Sequence, residues 1–118
     1  MINGGNATIY VTDMDRSVKF FTDALGLKLD YQAGPEWAQI NAGKGLVLGL
    51  HGVSHGAKAG QEGSTVVGFD VDEPIEKVYD ALVQRGVKFD SPPVDTGHVK
   101  LANFRDPDGN PFYLAETK

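Results

Sequence analysis

Apolar residues recur along this chain in two rhythms, one of period two and one of helical period, and the order of the rhythms repeats. Ala7-Thr8-Ile9-Tyr10-Val11 is rich in β-branched and aromatic residues and reads as a strand. Met14, Val18, Phe21 and Leu25 then fall at helical spacing and make one apolar face. Thr12 or Asp13 can cap that helix, and Gly26 sits where a glycine closes one. Leu27-Lys28-Leu29-Asp30-Tyr31 alternates apolar and polar, as a half-buried strand does. Gly34-Pro35 marks a turn, residues 37–41 the next strand, Gly43-Lys44-Gly45 another turn, and residues 46–51 a fourth strand.

The second half runs through the same order. Residues 65–71 read as a strand, Asp72 is a candidate cap, and Pro74 suits a first helical turn. Ile75, Val78, Tyr79 and Leu82 form the apolar face, with Val83 beside it and Gly86 as the stop. Residues 87–90 predict a strand, followed by Ser91-Pro92-Pro93. Residues 98–105 and 111–116 predict two more, around the turn Asp106-Pro107-Asp108-Gly109. Gly26-Leu27-Lys28-Leu29-Asp30 is matched by Gly86-Val87-Lys88-Phe89-Asp90, 60 positions on (86 − 26), and Val11 and Val71 share that offset. Two amphipathic helices followed by strands look alike unaided, but the fixed offset favours a repeated βαβββ unit and an α+β class. The first unit spans about 5–52 and the second about 64–118. The Gly-rich stretch 53–63 between them reads as a mobile linker or lid.

Composition narrows the function classes. With 118 residues the chain suits one domain and one modest core. A net charge of -5 argues against a nucleic-acid footprint, which needs clustered Lys and Arg. There are no cysteines, so disulfides, thiolate nucleophiles and Cys-ligated metals are excluded. The opening residues show no basic and apolar leader, and no apolar run approaches a membrane span. A soluble cytoplasmic protein with no nucleic-acid or membrane partner is the expectation.

Val11-Thr12-Asp13-Met14-Asp15-Arg16-Ser17-Val18-Lys19-Phe20-Phe21, followed by Leu25-Gly26-Leu27, resembles the opening motif of the vicinal-oxygen-chelate superfamily. This is the group of glyoxalases, bleomycin-resistance proteins and extradiol dioxygenases, and its usual form is V-x-D-hydrophobic-x-x-S-x-x-F-Y, then L-G. Phe104-Arg105-Asp106-Pro107-Asp108-Gly109-Asn110-Pro111 resembles its closing motif, F-x-D-P-D-G-N. Together the two motifs bracket essentially the whole chain. The resemblance implies two βαβββ modules whose strands form a curved mixed sheet around a cavity, with helices outside. It also implies a homodimer.

In metal-bearing members of that superfamily, one residue on the first and last strand of each module supplies a His, Gln or Glu ligand. Carried onto this chain, the resemblance places those positions at Asn6, Gly49, Val66 and Tyr113. Gly49 is registered from its strand alone, and a slip of two would put His51 there. Glycine and valine offer no donor, asparagine is a weak neutral ligand, and neutral tyrosine is a poor one, whereas a tight divalent site wants imidazole or carboxylate. No metal or other cofactor is therefore expected, and the metal-dependent activities of the superfamily are put in doubt.

What remains is a set of residues that alternation turns toward the cavity. Thr8 and Tyr10 follow Asn6, Trp37 lies on an inner strand, and Tyr113 sits on the cavity floor. Tyr and Trp supply flat stacking area with one polar handle, which suits an aromatic ligand; ordinary packing is the plainer account of each alone. His51 shares the parity of Gly49 and is a candidate general acid/base or ligand-orienting group, against a strand-end histidine meeting solvent. Asp70 shares the parity of Val66, and could pair with His51 or receive a cation, against an exposed strand-end charge. Asn103 can face the same cavity opposite Tyr113. His55 and His98 fall in or near loops, and Phe20, Phe21, Phe69, Phe104 and Phe112 read as core. Two functions fit. One is a metal-free binding protein that holds a small aromatic or amphipathic molecule, as resistance proteins do by sequestration, the acidic balance agreeing with a cationic drug. The other is a diverged glyoxalase-like lyase or isomerase that uses His51 and Asp70 or a displaced divalent metal.

Overall fold

The structure is a computed structural model and describes residues 1, 6–53, 60 and 66–117. Its elements are β1 (Ala7–Val11), α1 (Met14–Lys19) with a π-helical continuation (Phe20–Ala24), β2 (Lys28–Ala33), β3 (Trp37–Gly43) and β4 (Leu46–Gly52). After them come β5 (Val67–Asp70), α2 (Ile75–Gln84), β6 (Val94–Asp95), β7 (Val99–Arg105) and β8 (Pro111–Thr117). The chain divides into two compact units, Met1–Gln61 and Glu62–Lys118. Each unit carries one four-stranded mixed sheet, ordered β1-β4-β3-β2 in the first and β5-β8-β7-β6 in the second. In both, the first strand pairs parallel with the last, and the remaining pairs are antiparallel. This is the α+β class that the repeated pattern predicts. His55 and the body of the 53–63 linker lie outside the described residues.

In the first unit Asp13 is the cap, its carboxylate accepting from the Arg16 amide at 3.1 Å. Met14, Ser17 and Phe21 are buried, and α1 packs over β3 and β4, where Ala38, Ile40, Leu48 and Leu50 are fully buried. The expected face of Met14, Val18, Phe21 and Leu25 is thus shifted, with Ser17 inside and Val18 only half-buried. The Leu25 amide reaches back to the Phe20 carbonyl at 3.0 Å and the Leu27 amide to that of Phe21 at 2.9 Å. These wide turns end the helix through Gly26, whose φ of 75° is the left-handed geometry that glycine tolerates.

The second unit corrects three expectations. Asp72 is not the cap of α2, and Pro74 precedes the helix rather than opening it. Proline has no side-chain acceptor, so the carboxylate of Glu116, on β8, takes the Ile75 amide at 2.9 Å instead. Residues 87–90 form no strand; Phe89 makes a single bridge to Phe104, and pairing with β7 resumes only at β6. The repeat explains this, because Pro92 and Pro93 stand where the first unit has Gln32 and Ala33. Proline has no N–H to donate to a ladder. The core here is aromatic, with Phe112 stacked on Phe69 and on Phe104, both at 5.6 Å between ring centroids.

The turn after β7 is built on Asp106, a buried residue whose carboxylate accepts from the Asp108 and Asn110 amides and from the Asn110 side chain, at 2.7–3.0 Å. Burial pushes its carboxyl above the usual aspartate range, and the Asn110 and Asp108 hydrogen bonds restrain the rise. As expected from the motif, this turn is structural.

Candidate functional site

Strand side chains alternate faces, so residues that do not point at α1 or α2 share the opposite, open face of each sheet. In the first unit the register lays them out in two rows. Tyr10 pairs with His51, and His51 with Trp37; one step along, Thr8 pairs with Gly49, and Gly49 with Gln39. The His51 ring stands edge-on to both neighbours, 5.5 Å from Tyr10 and 6.1 Å from Trp37 between centroids. Its Nδ1 lies 2.6 Å from the Gly52 carbonyl oxygen.

Gly49 explains how the two rows join. A Cβ placed there would lie 2.8 Å from Trp37 Cζ2, closer still to Cη2, and 3.0 Å from Thr8 Oγ1. The indole therefore leans out of its own row and lies on bare backbone, which only glycine permits. Asn6 joins through its side-chain oxygen, which accepts from the Thr8 hydroxyl.

Two residues of this face escaped the sequence pattern. Gln39 lies between Gly49 and Tyr31 by register, and its amide donates to the Asp30 carboxylate at 3.4 Å. Its signal was available, since it has the parity of Trp37. Simple alternation groups Tyr31 with Leu29. A bulge between Leu29 and Tyr31 shifts the parity, so Tyr31 pairs with Gln39 instead and is 53% exposed. Near one end of the first unit, Thr12, Asp13, Met14, Asp15, Gln32, Gly34 and Pro35 line an open cleft of about 430 Å³.

In the second unit Gly68 pairs with Tyr113, and Tyr113 with Asn103, so all three share the open face. Glycine plays the same part again: a Cβ at Gly68 would lie 2.6 Å from the Tyr113 hydroxyl and closer still to its ring. Val66 and Asp70 have the parity of Gly68. Val66 is half exposed, and Asp70 is exposed, its carboxylate making no hydrogen bond or ion pair to another described residue.

The four positions onto which the superfamily resemblance carries metal ligands present no imidazole or carboxylate. Gly49 has no side chain and the Trp37 indole covers it, Val66 offers only an isopropyl group, and the Asn6 oxygen is engaged by Thr8. Tyr113 is laid against Gly68. Among the described residues no three His, Asp or Glu side chains come together as a metal-holding group. No helix among them is long and apolar enough to cross a membrane.

The comparisons with known proteins agree with this architecture. A family model described as Glyoxalase/Bleomycin resistance protein/Dioxygenase superfamily matches residues 5–114. The protein YraH of Bacillus subtilis (strain 168) is 30% identical over 114 residues, covering 86% of this chain and 88% of its own. YetH of the same strain is 29% identical over 120 residues, covering 95% and 96%. Among solved structures, TnmS3, an antibiotic binding protein from Streptomyces sp. CB03234, superposes with a TM-score of 0.83 at 24% identity over 100% of this chain and 98% of its own. A superfamily member from Sphaerobacter thermophilus DSM 20745 gives 0.81 at 27% identity, covering 98% of each chain.

Proposed function

The chain belongs to the glyoxalase/bleomycin resistance protein/dioxygenase superfamily, and from that premise we propose that it binds a small aromatic or amphipathic molecule without a metal ion. The observation that carries the reading is the Trp37 indole lying on Gly49, in a row with His51 and Tyr10. The row offers flat apolar area with polar edges, which is what a conjugated ligand needs. Gly49, one of the positions onto which the resemblance carries a metal ligand, has no side chain to donate, which supports the metal-free reading. Thr8, Asn6 and Gln39 supply neutral polar contacts beside the rings. The second unit has an open face of its own, where Tyr113, Asn103, Val66 and Asp70 offer a ring, a carboxamide, apolar area and a charge suited to a cationic substituent. The neighbour TnmS3 is an antibiotic binding protein. Its 24% identity speaks for the fold, and the ligand class here rests on the side chains. A homodimer in the cytoplasm belongs to the same proposal.

A thermal-shift screen of aromatic and cationic drugs in excess EDTA tests this. Stabilisation by an organic ligand with the chelator present supports it. A screen in which only divalent ions stabilise the protein contradicts it. His51 favours a second reading. Held through Nδ1, its ring is oriented as a general base would be, so a lyase or isomerase could use it. Turnover that vanishes in His51→Ala would establish that alternative.

A further inference from the structure

His51 gives the aromatic row a chemical direction. A carbonyl oxygen only accepts hydrogen bonds, so the hydrogen in the 2.6 Å contact with Gly52 sits on Nδ1. In the neutral ring the lone pair is then on Nε2, the distal nitrogen. Nε2 has no hydrogen-bond partner among the described residues. On either side stand the Tyr10 and Trp37 rings.

Resting on the binding reading above, we propose that His51 is the specificity-determining residue of this face. It selects planar aromatic ligands that carry a hydrogen-bond donor, a phenolic hydroxyl or an aryl N–H, over ligands of the same shape whose substituent only accepts. A donor between the two rings completes the imidazole's hydrogen bonding. An acceptor-only substituent sets lone pair against lone pair and leaves Nε2 desolvated without a partner. A net hydrogen bond of ordinary strength corresponds to about fivefold in affinity. The preference runs against hydrophobicity, because capping a hydroxyl with a methyl group adds apolar area.

The chain has one tryptophan, and it lies in this row, so the indole N–H resonance reports on the site. The full-length protein, labelled with nitrogen-15, is titrated with 2-naphthol and with 2-methoxynaphthalene, the same bicycle with its donor capped. 2-Naphthol should bind about fivefold more tightly. The ratio should fall to one or below in His51→Phe, which keeps a ring and removes the acceptor. Equal affinities in the wild type, or a ratio that survives His51→Phe, overturn the proposal. A long-range proton–nitrogen spectrum of the unliganded wild type needs no variant: a His51 ring protonated on Nδ1 supports the proposal, and one protonated on Nε2 overturns it. If neither probe moves the indole peak, the binding reading itself fails and takes this inference with it.

Discussion

Replacing Gly49 by alanine sets one methyl group under the Trp37 indole. The new carbon would lie 2.8 Å from Cζ2, closer to Cη2, and 3.0 Å from Thr8 Oγ1. Ordinary carbon–carbon contact begins near ~3.5 Å, so the indole must retreat by more than about 1 Å, the closer Cη2 setting the distance. Trp37 is only half-buried, so its ring can swing outward. The cost therefore falls at the low end of overpacking, about 1 kcal/mol. Against this, alanine in a strand regains about 0.5–1 kcal/mol relative to glycine. The net loss of stability is then below about 1 kcal/mol, while the platform is tilted. A favourable aromatic contact is worth about 0.5–1.5 kcal/mol, so affinity for 2-naphthol should drop roughly two- to tenfold. Urea denaturation, the emission of the single tryptophan and a ligand titration measure the three quantities. A shifted emission with near-native stability and weaker binding is expected. Unchanged emission and affinity would refute the placement of the indole. A loss above about 3 kcal/mol would show a sealed site instead of an open face.

Other perturbations test the frame around the site. A Cβ at Gly52 would lie 2.6 Å from the Pro35 carbonyl oxygen, a backbone atom that no rotamer moves. Gly52→Ala should therefore cost about 1–3 kcal/mol by urea denaturation, and a smaller cost than Gly49→Ala contradicts that contrast. The Ser17 hydroxyl is buried without a hydrogen-bond partner among the described residues, so Ser17→Ala should stabilise by about 1 kcal/mol. A destabilised variant would reveal a partner. Glu116→Ala leaves the first amide of α2 unpaired and should cost about 1 kcal/mol, whereas Glu116→Gln keeps an acceptor and most of the stability. Asp106 titrates above its ordinary 3.8 when folded, so the native state holds its proton more tightly than the unfolded chain. Its stabilising contribution is thus complete below 3.8 and lost as pH rises through the folded value. A carbon-13 titration placing Asp106 at or below 3.8 would contradict this.

The sequence pattern was most legible where strands are regular. Thr8, Tyr10, Gly49 and His51 follow period two without interruption, and the parallel pairing of β1 with β4 sets them side by side. The offset of 60 likewise makes Asn6 and Val66 equivalent positions in the repeated sequence, and both units share one strand order. Legibility ended where a single residue breaks the period. The bulge at Asp30 turns Tyr31 to the other face, and nothing in Leu29-Asp30-Tyr31 announces it. The strand expected at 87–90 has good alternation, yet the prolines two residues on deny it a ladder. Glu116 caps a helix 41 positions earlier in the chain, a contact that only the folded sheet creates. The indole on Gly49 depends on the β3–β4 register, which passes through a second irregularity between Asn41 and Gly43.

Metal analysis of untagged protein, joined to a 2-naphthol titration before and after EDTA, bears most directly on the claim that this face binds through aromatic rings and imidazole. No stoichiometric ion and the same affinity in both titrations are expected. A full equivalent of nickel, zinc, iron or manganese, with binding lost on its removal, would contradict that claim.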